Sequence, residues 1–137
     1  MALNIIQKMD ASVFVYDISE EKINQLCEKG AIRTSSLIEL VNKVDYVITM
    51  LPTSQNVIDV YNSIYSVVRT GQLFIDMSTI DPKVSVMLSK EIKKLGASMI
   101  DAPVVKSKNA AITGTLGIYV GGSEEDYQKA RPILQTM

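Results

Sequence analysis

Ser12-Val13-Phe14-Val15-Tyr16-Asp17 is the stretch that decides the fold of this 137-residue chain. Its apolar run and its final carboxylate are typical of a buried strand that ends in an acidic residue. Further short apolar runs occupy residues 46–51, 73–77, 97–101 and 116–120, and segments with helical spacing lie between most of them. Strands that alternate with helices predict an α/β fold with a mostly parallel sheet.

Capping signals predict where several of the intervening helices begin. Ser36 with Glu39 three residues later forms a capping box, and Asp81-Pro82 places an acid at a cap and a proline in the first turn. Ser123 is the predicted cap of a final helix, which Pro132 is expected to break or restart. No linker or internal repeat is visible, so residues 1–137 are predicted to form one domain.

The position of Asp17 suggests a nucleotide site. A carboxylate at the end of such a strand can accept hydrogen bonds from both hydroxyls of an adenosine ribose, and it would repel the 2′-phosphate of NADP, so it favours NAD. A strand-end or helix-capping role explains the same residue equally well. The glycine-rich phosphate loop should lie about 20 residues earlier, but the chain contains no G-x-G-x-x-G. We therefore expect a Rossmann-type, doubly wound sheet that lacks its first strand and its glycine-rich loop.

Composition excludes several classes of function. The formal net charge of −1, without a basic run, offers nothing to attract nucleic acid or an anionic membrane surface. The chain has no histidine, so it has no histidine base or ligand, and we predict no metal site. Cys27 is the only cysteine, which excludes an intrachain disulfide. The apolar runs are far shorter than the ~20 residues of a membrane helix, and no targeting segment is visible.

Polar loops follow three of the predicted strands, at residues 50–54, 76–82 and 101–104. The carboxyl ends of parallel strands share one edge of the sheet, and ligands bind in the crevice outside that edge. A proline turn or a helix cap would explain each loop separately. Their succession makes a ligand crevice the stronger interpretation.

These loops carry a family resemblance. They combine Tyr16-Asp17 with Ile48-Thr49-Met50-Leu51-Pro52-Thr53-Ser54, Asp76-Met77-Ser78-Thr79-Ile80-Asp81-Pro82, Asp101-Ala102-Pro103-Val104 and Gly121-Gly122. The set resembles the β-hydroxyacid dehydrogenases over essentially the whole chain. Within that family it is most similar to the 3-hydroxyisobutyrate dehydrogenases; a glyoxylate or tartronate semialdehyde reductase-like fragment is the alternative.

The resemblance implies an NAD-dependent oxidoreductase that acts on a small hydroxy acid. The 3-hydroxyisobutyrate dehydrogenases oxidise 3-hydroxyisobutyrate to methylmalonate semialdehyde in mitochondrial valine catabolism. The implied cofactor contacts are Asp17, Leu51, Pro52, Asn56 and Thr79. Ser78 is a weaker candidate for contact with the substrate. No catalytic residue is assigned, because the family's catalytic lysine lies in a helical domain that nothing in these residues matches.

The chain also departs from the family pattern. The family's substrate loop D-A-P-V-S-G-G is replaced by D-A-P-V-V-K-S-K at residues 101–108. We therefore expect a partial NAD-binding domain that is not catalytic as an isolated chain. The alternative is a non-catalytic remnant or interaction module that pairs with a full-length relative or forms a homo-oligomer. With the strand order 3-2-1-4-5-6, a missing first strand would leave residues 12–17 and 72–77 with unpaired edges and a much less stable domain.

Overall fold

The computed structural model describes residues 1–137 and contains seven α-helices and seven short strands. The helices are α1 (Ala2–Lys8), α2 (Glu20–Cys27), α3 (Leu37–Lys43), α4 (Ser54–Ile64), α5 (Pro82–Lys94), α6 (Lys108–Thr113) and α7 (Glu124–Leu134). The strands are β1 (Phe14–Val15), β2 (Ile32–Arg33), β3 (Tyr46–Thr49), β4 (Leu73–Asp76), β5 (Ser98–Asp101), β6 (Val104–Val105) and β7 (Gly117–Ile118). None of the helices has the length and apolar character needed to cross a membrane.

The strands form two parallel sheets and one antiparallel hairpin. β1 pairs with β2, and β3, β4 and β5 pair in that order. β6 and β7 form the hairpin. The predicted α/β fold with a mostly parallel sheet is confirmed, but no pairing joins β1 to β3, so the two parallel sheets are separate.

β3 is one edge of the larger sheet, and β5, which forms a single bridge to Gly121, is the other. β4 lies between β3 and β5 and is buried along its whole length, so the expectation of an unpaired edge at residues 72–77 is wrong. The error has a simple cause: β2 is an exposed strand of two residues with no visible periodicity, and omitting it shifted the strand count by one. When β2 is counted, β1, β2 and β3 of this chain correspond to the second, third and fourth strands of the fold whose strand order is 3-2-1-4-5-6.

Helices cover both faces of the β3–β4–β5 sheet. On one face α3, α4 and α5 enclose a core that includes Tyr61 and Phe74, whose ring centroids lie 5.7 Å apart. On the other face α1 and α7 pack against Ile75 and Ile100. The fold is therefore doubly wound, and the core fixes the strand ends on which the site depends.

The predicted caps are present with one difference. The Ser36 hydroxyl accepts a hydrogen bond from the Glu39 amide at 3.1 Å, but the Glu39 carboxylate accepts from the Ser35 amide, one residue earlier than the capping box predicts. Asp81 caps α5 through the amide of Lys83 at 2.9 Å. The sequence thus predicted the helix start correctly and the partner of Glu39 wrongly.

Pro132 does not interrupt the final helix. α7 runs through it to Leu134. Proline removes one hydrogen bond near the end of a helix. Ile133 and Leu134, which follow it, are buried in the core beneath the sheet, and this burial offsets the lost bond.

Candidate functional site

Three polar side chains lie side by side at the carboxyl ends of the central strands. Thr49, Asp76 and Asp101 are in register across β3, β4 and β5. Paired residues of parallel strands point to the same face of a sheet, here the face of Tyr61 and Phe74. Asp76 is fully buried and Thr49 is 8% exposed. We call these three residues the polar row.

Asp76 is the centre of a hydrogen-bond network. Its Oδ1 accepts from the Thr49 hydroxyl at 2.9 Å, from the Ser78 hydroxyl at 2.6 Å and from the Ser78 amide at 3.1 Å. The Ser78 hydroxyl oxygen in turn accepts from the Leu51 amide at 2.9 Å. We call these four residues the Asp76 network; it joins the loop after β3 to the loop after β4.

The second carboxylate oxygen of Asp76, Oδ2, is buried and has no hydrogen-bond partner. No lysine or arginine forms a salt bridge with Asp76 or with Asp101. Burial raises the pKa of Asp101, and the negative charge of Asp76 raises it further. Burial and the same charge also raise the pKa of Tyr61, whose hydroxyl lies 3.5 Å from Thr49 Oγ1. This end of the sheet is therefore electronegative and suits a cationic or neutral group better than a phosphate.

The two loops bring together most of the predicted site residues. Leu51 is held to Ser78, and Pro52 and Thr79 are exposed beside them in sequence. Asn56 is exposed in the first turn of α4, where its backbone N–H donates to the Thr53 hydroxyl at 3.2 Å. The Thr79 side chain makes no hydrogen bond within the chain, so it is free to contact a ligand.

Asp17 lies apart from these loops, beyond the end of β1 in the smaller sheet. Its Oδ1 accepts from the Ser19 amide at 2.9 Å, and its Oδ2 is 3.9 Å from Lys22 Nζ. Ser19 precedes α2 but makes no side-chain capping bond, and Asp17 stabilises this turn instead. The side chain of Asp17 remains 40% exposed. The carboxylate therefore has a local structural role and an oxygen that a ribose hydroxyl could reach.

Sequence reasoning missed the importance of Thr49 and Asp76, although both lie within the quoted motifs. The signal was available: Asp76 is the one charged residue in the apolar run 73–77, and Thr49 interrupts the run 46–51. A polar side chain inside a buried strand needs partners. Two such residues in neighbouring strands predict that they are each other's partners.

The loop that follows β5 is tied to the hairpin. Val105 packs over Gly117, where a Cβ atom would lie 2.6 Å from Val105 Cγ2. Lys106 adopts a positive φ of 86° and donates from Nζ to the carbonyl of Thr115 at 2.7 Å. The Lys106 ammonium is thus bound to a backbone oxygen of the hairpin, and this contact provides no anion site near Asp101.

The residues present fit the two ends of a dinucleotide and not its middle. The exposed Asp17 carboxylate suits a ribose, and the electronegative strand ends suit an oxidised nicotinamide ring. The one pair of adjacent glycines, Gly121-Gly122, precedes α7, whose first turn carries Glu124, Glu125 and Asp126. These acids would repel a diphosphate. A surface depression of about 450 Å³ lies away from the site, between the ends of α1 and α7.

Comparison with known proteins decides the family. Residues 1–137 match the family model described as the NAD binding domain of 6-phosphogluconate dehydrogenase. The chain belongs to this family. Membership in this NAD-binding domain family implies that the ligand of the site is NAD or NADP.

Relatives of this family member include the mitochondrial 3-hydroxyisobutyrate dehydrogenases of mouse and human, 41% and 40% identical over 140 residues. These alignments cover 100% of this chain and 42% and 41% of the relatives. A 3-sulfolactaldehyde reductase of Escherichia coli is 35% identical, with 100% of this chain and 47% of the relative covered. The chain therefore spans less than half the length of these curated relatives.

Solved structures agree with this assignment to the NAD-binding domain family. The Mycobacterium tuberculosis 3-hydroxyisobutyrate dehydrogenase with L-serine superposes with a TM-score of 0.94 at 31% identity, covering 99% of this chain and 46% of that one. Psf3 in complex with NADP+ gives a TM-score of 0.93 at 25% identity, with 98% and 49% covered. The Rossmann-type fold and the resemblance to 3-hydroxyisobutyrate dehydrogenases are confirmed.

Proposed function

We propose that residues 1–137 form a partial dinucleotide-binding domain that binds NAD across the carboxyl ends of β1, β3 and β4. The observation that carries the proposal is the Asp76 network, which joins two successive strand-end loops with hydrogen bonds of 2.6–3.1 Å. Such an edge of a parallel sheet is where this fold binds its ligand. Membership in the NAD-binding domain family supports the identity of that ligand.

In this proposal Asp17 accepts hydrogen bonds from the adenosine ribose and disfavours the 2′-phosphate of NADP. The cofactor cleft is lined by Leu51, Pro52 and Asn56. Thr79 contacts the nicotinamide end through its free hydroxyl, and Ser78 lies on the substrate side. Because Ser78 is 2% exposed and already bonded to Asp76 and Leu51, its role is to hold the loop more than to contact the substrate.

The bound cofactor supplies hydride acceptance, and the residues of this chain orient it. The reaction is oxidation of a small 3-hydroxy acid, with 3-hydroxyisobutyrate as the first substrate to test, which the names of the mouse and human relatives support. The same names support a mitochondrial location, and the resemblance to 3-hydroxyisobutyrate dehydrogenases supports a part in valine catabolism. A glyoxylate or tartronate semialdehyde is the alternative substrate class. Catalysis requires groups beyond those identified in residues 1–137.

Calorimetric titration of the chain with NAD and with NADP tests the site. We expect NAD to bind more tightly than NADP, and Asp17→Ala to weaken NAD binding by about 10-fold or more, since hydrogen bonds to a charged group contribute about 1.5–3 kcal/mol each. Asp59→Ala is the control, because Asp59 is an exposed acid on α4. Equal affinity of the Asp17→Ala and Asp59→Ala variants, with both shown to be folded by circular dichroism, would refute the assigned role.

The divided sheet favours a second candidate, an interaction module. The carbonyls of Asp45 and Thr49 accept from the amides of Leu73 and Met77. The backbone groups of Tyr46 and Ile48 therefore point to the free edge. By the same alternation, Phe14 of β1 turns its backbone groups away from β2, because the carbonyls of its neighbours accept from Ile32 and Thr34. Free edges of this kind pair with other chains, either a full-length relative or a second copy.

Sedimentation velocity distinguishes this candidate from a monomeric cofactor domain. We would measure the chain alone and mixed with a purified full-length 3-hydroxyisobutyrate dehydrogenase. Tyr46→Pro removes one N–H of the free edge at the first residue of a strand, where proline is tolerated. If the chain forms a complex with the full-length enzyme or with itself and the Tyr46→Pro variant does not, pairing through β3 is supported. If the unmodified chain stays monomeric in both samples, the interaction module is rejected.

A further inference from the structure

The loops after β3 and β4 are held together by one carboxylate oxygen. Asp76 Oδ1 is the acceptor for the Thr49 hydroxyl and for both the hydroxyl and amide of Ser78. The Ser78 hydroxyl uses its proton on Asp76, so its oxygen is fixed as the acceptor for the Leu51 amide. The position of Leu51 therefore depends on the orientation of a hydroxyl that Asp76 sets.

The placement of these groups points to a role beyond packing. Asp76 is 0% and Ser78 2% exposed, and burying a carboxylate whose Oδ2 has no partner is costly. An apolar residue at position 76 would fill the same strand end without that cost. What the carboxylate adds is a directed link between two loops whose residues are 27 positions apart in the chain.

We propose that Asp76 is a positioning residue that sets the spacing of the two cofactor-binding loops through Ser78 and the Leu51 amide. The inference rests on the proposed NAD site, because it assigns a role within that site. Asp76 touches neither cofactor nor substrate; it acts through Ser78, which holds the backbone of Leu51 beside Pro52 and Thr79. Loops held at a fixed spacing bind the cofactor with less loss of conformational entropy.

Three variants of the 137-residue chain test the inference. Ser78→Ala removes the link and leaves Asp76 in place. Asp76→Asn keeps an Oδ1 acceptor of the same shape and puts its amide group where Oδ2 has no partner, whereas Asp76→Ala removes the acceptor. Ser63→Ala is the matched control, because the exposed Ser63 hydroxyl donates to a backbone carbonyl within α4, at 2.7 Å and away from the loops.

The first readout is hydrogen exchange of the Leu51 amide by NMR without ligand. We expect the Leu51 amide to exchange about 10-fold faster in Ser78→Ala and Asp76→Ala, because its hydrogen bond to Ser78 is lost or weakened. We expect unchanged exchange in Ser63→Ala and Asp76→Asn, because that hydrogen bond is kept. Ser78→Ala decides the result if Asp76→Ala does not fold. Unchanged Leu51 exchange in folded Ser78→Ala would overturn the inference whether or not NAD binds.

The second readout is NAD affinity by calorimetry. We expect Ser78→Ala to bind about 10-fold more weakly than the unmodified chain, and Asp76→Asn to bind within about 3-fold of it. Equal NAD affinity of Ser78→Ala and Ser63→Ala would overturn the positioning role. If the folded, unmodified chain binds no NAD while the Leu51 amide responds, the proposed cofactor site is refuted and the link between the loops is supported.

Discussion

Replacing Thr49 by valine should cost more stability than the same replacement at Thr34. Both side chains are buried, at 8% and 2% exposure, and each hydroxyl donates one hydrogen bond at 2.9–3.1 Å. The acceptors differ: Thr49 donates to the Asp76 carboxylate, whereas Thr34 donates to the carbonyl of Val15. Valine has nearly the shape of threonine, so each variant chiefly removes the hydrogen bond and leaves its acceptor with one donor fewer. At Thr49 it also removes the weaker 3.5 Å contact with the buried Tyr61 hydroxyl.

The expected magnitudes follow from the acceptors. A hydrogen bond to a charged group contributes about 1.5–3 kcal/mol and a neutral one about 0.5–1.5 kcal/mol. Thr49→Val should thus lower the free energy of unfolding by about 2 kcal/mol and Thr34→Val by about 1 kcal/mol. The Oδ2 atom of Asp76 has no hydrogen-bond partner, so no other bond of this carboxylate compensates for the hydrogen bond that Thr49→Val removes.

Urea denaturation followed by circular dichroism measures the difference. For a slope of about 1–3 kcal/mol/M, a difference of about 1 kcal/mol separates the two midpoints by roughly 0.3–1 M. Thr49→Ser keeps the hydroxyl and should recover most of the midpoint that Thr49→Val loses. A midpoint for Thr34→Val at or below that of Thr49→Val, with equal slopes, would refute the claim that the Asp76 carboxylate makes this bond the stronger one.

Three further changes test other parts of the structure. Gly114→Ala should lower the free energy of unfolding by about 2–4 kcal/mol, since φ is +70° and the new Cβ would lie 2.7 Å from a backbone oxygen. Gly71→Ala, with φ +87° and open space around the new Cβ, should lower it by only about 1 kcal/mol. Equal urea midpoints for the two variants would contradict this. Burial raises the pKa of Asp101, so the folded state holds this proton more tightly than the unfolded state, and the free energy of unfolding falls as pH rises above the ordinary carboxyl range. Asp101→Asn should therefore raise the melting temperature near neutral pH but not at a pH below that range. An equal change in melting temperature at the two pH values would argue against the assignment. Ser36→Ala should lower the free energy of unfolding by about 0.5–2 kcal/mol through loss of the α3 cap, and an unchanged melting temperature would show that the cap is dispensable.

Periodicity in the sequence predicted the elements that carry the core. The runs 46–51 and 73–77 and the helix between them, α4, appear in the structure because their apolar residues must be buried. β2 (Ile32–Arg33) escaped because both its residues are exposed. That one omission placed the free edge on the wrong strand, so a small local error became an error of topology.

The candidate site was predictable as a location and not as a network. Loops after successive parallel strands must share one edge, and this placed Leu51 and Ser78 near each other. The bond between the Leu51 amide and the Ser78 hydroxyl depends on strand register and on which side chain Asp76 engages, which no local pattern encodes. The competing interpretations of Asp17 also remained open, because a cap and a ribose contact need the same residue in the same place.

The division of the sheet separates the proposed cofactor site into parts of unequal stability. Asp17 follows β1, which pairs only with the equally short β2, and Thr79 follows the fully buried β4 at the centre of the larger sheet. Regions with few buried contacts open by local fluctuation long before the whole domain unfolds. The ribose end of the site would therefore be lost in partial unfolding events that leave the nicotinamide end intact, and tightening by a bound adenosine would be felt first in residues 12–34.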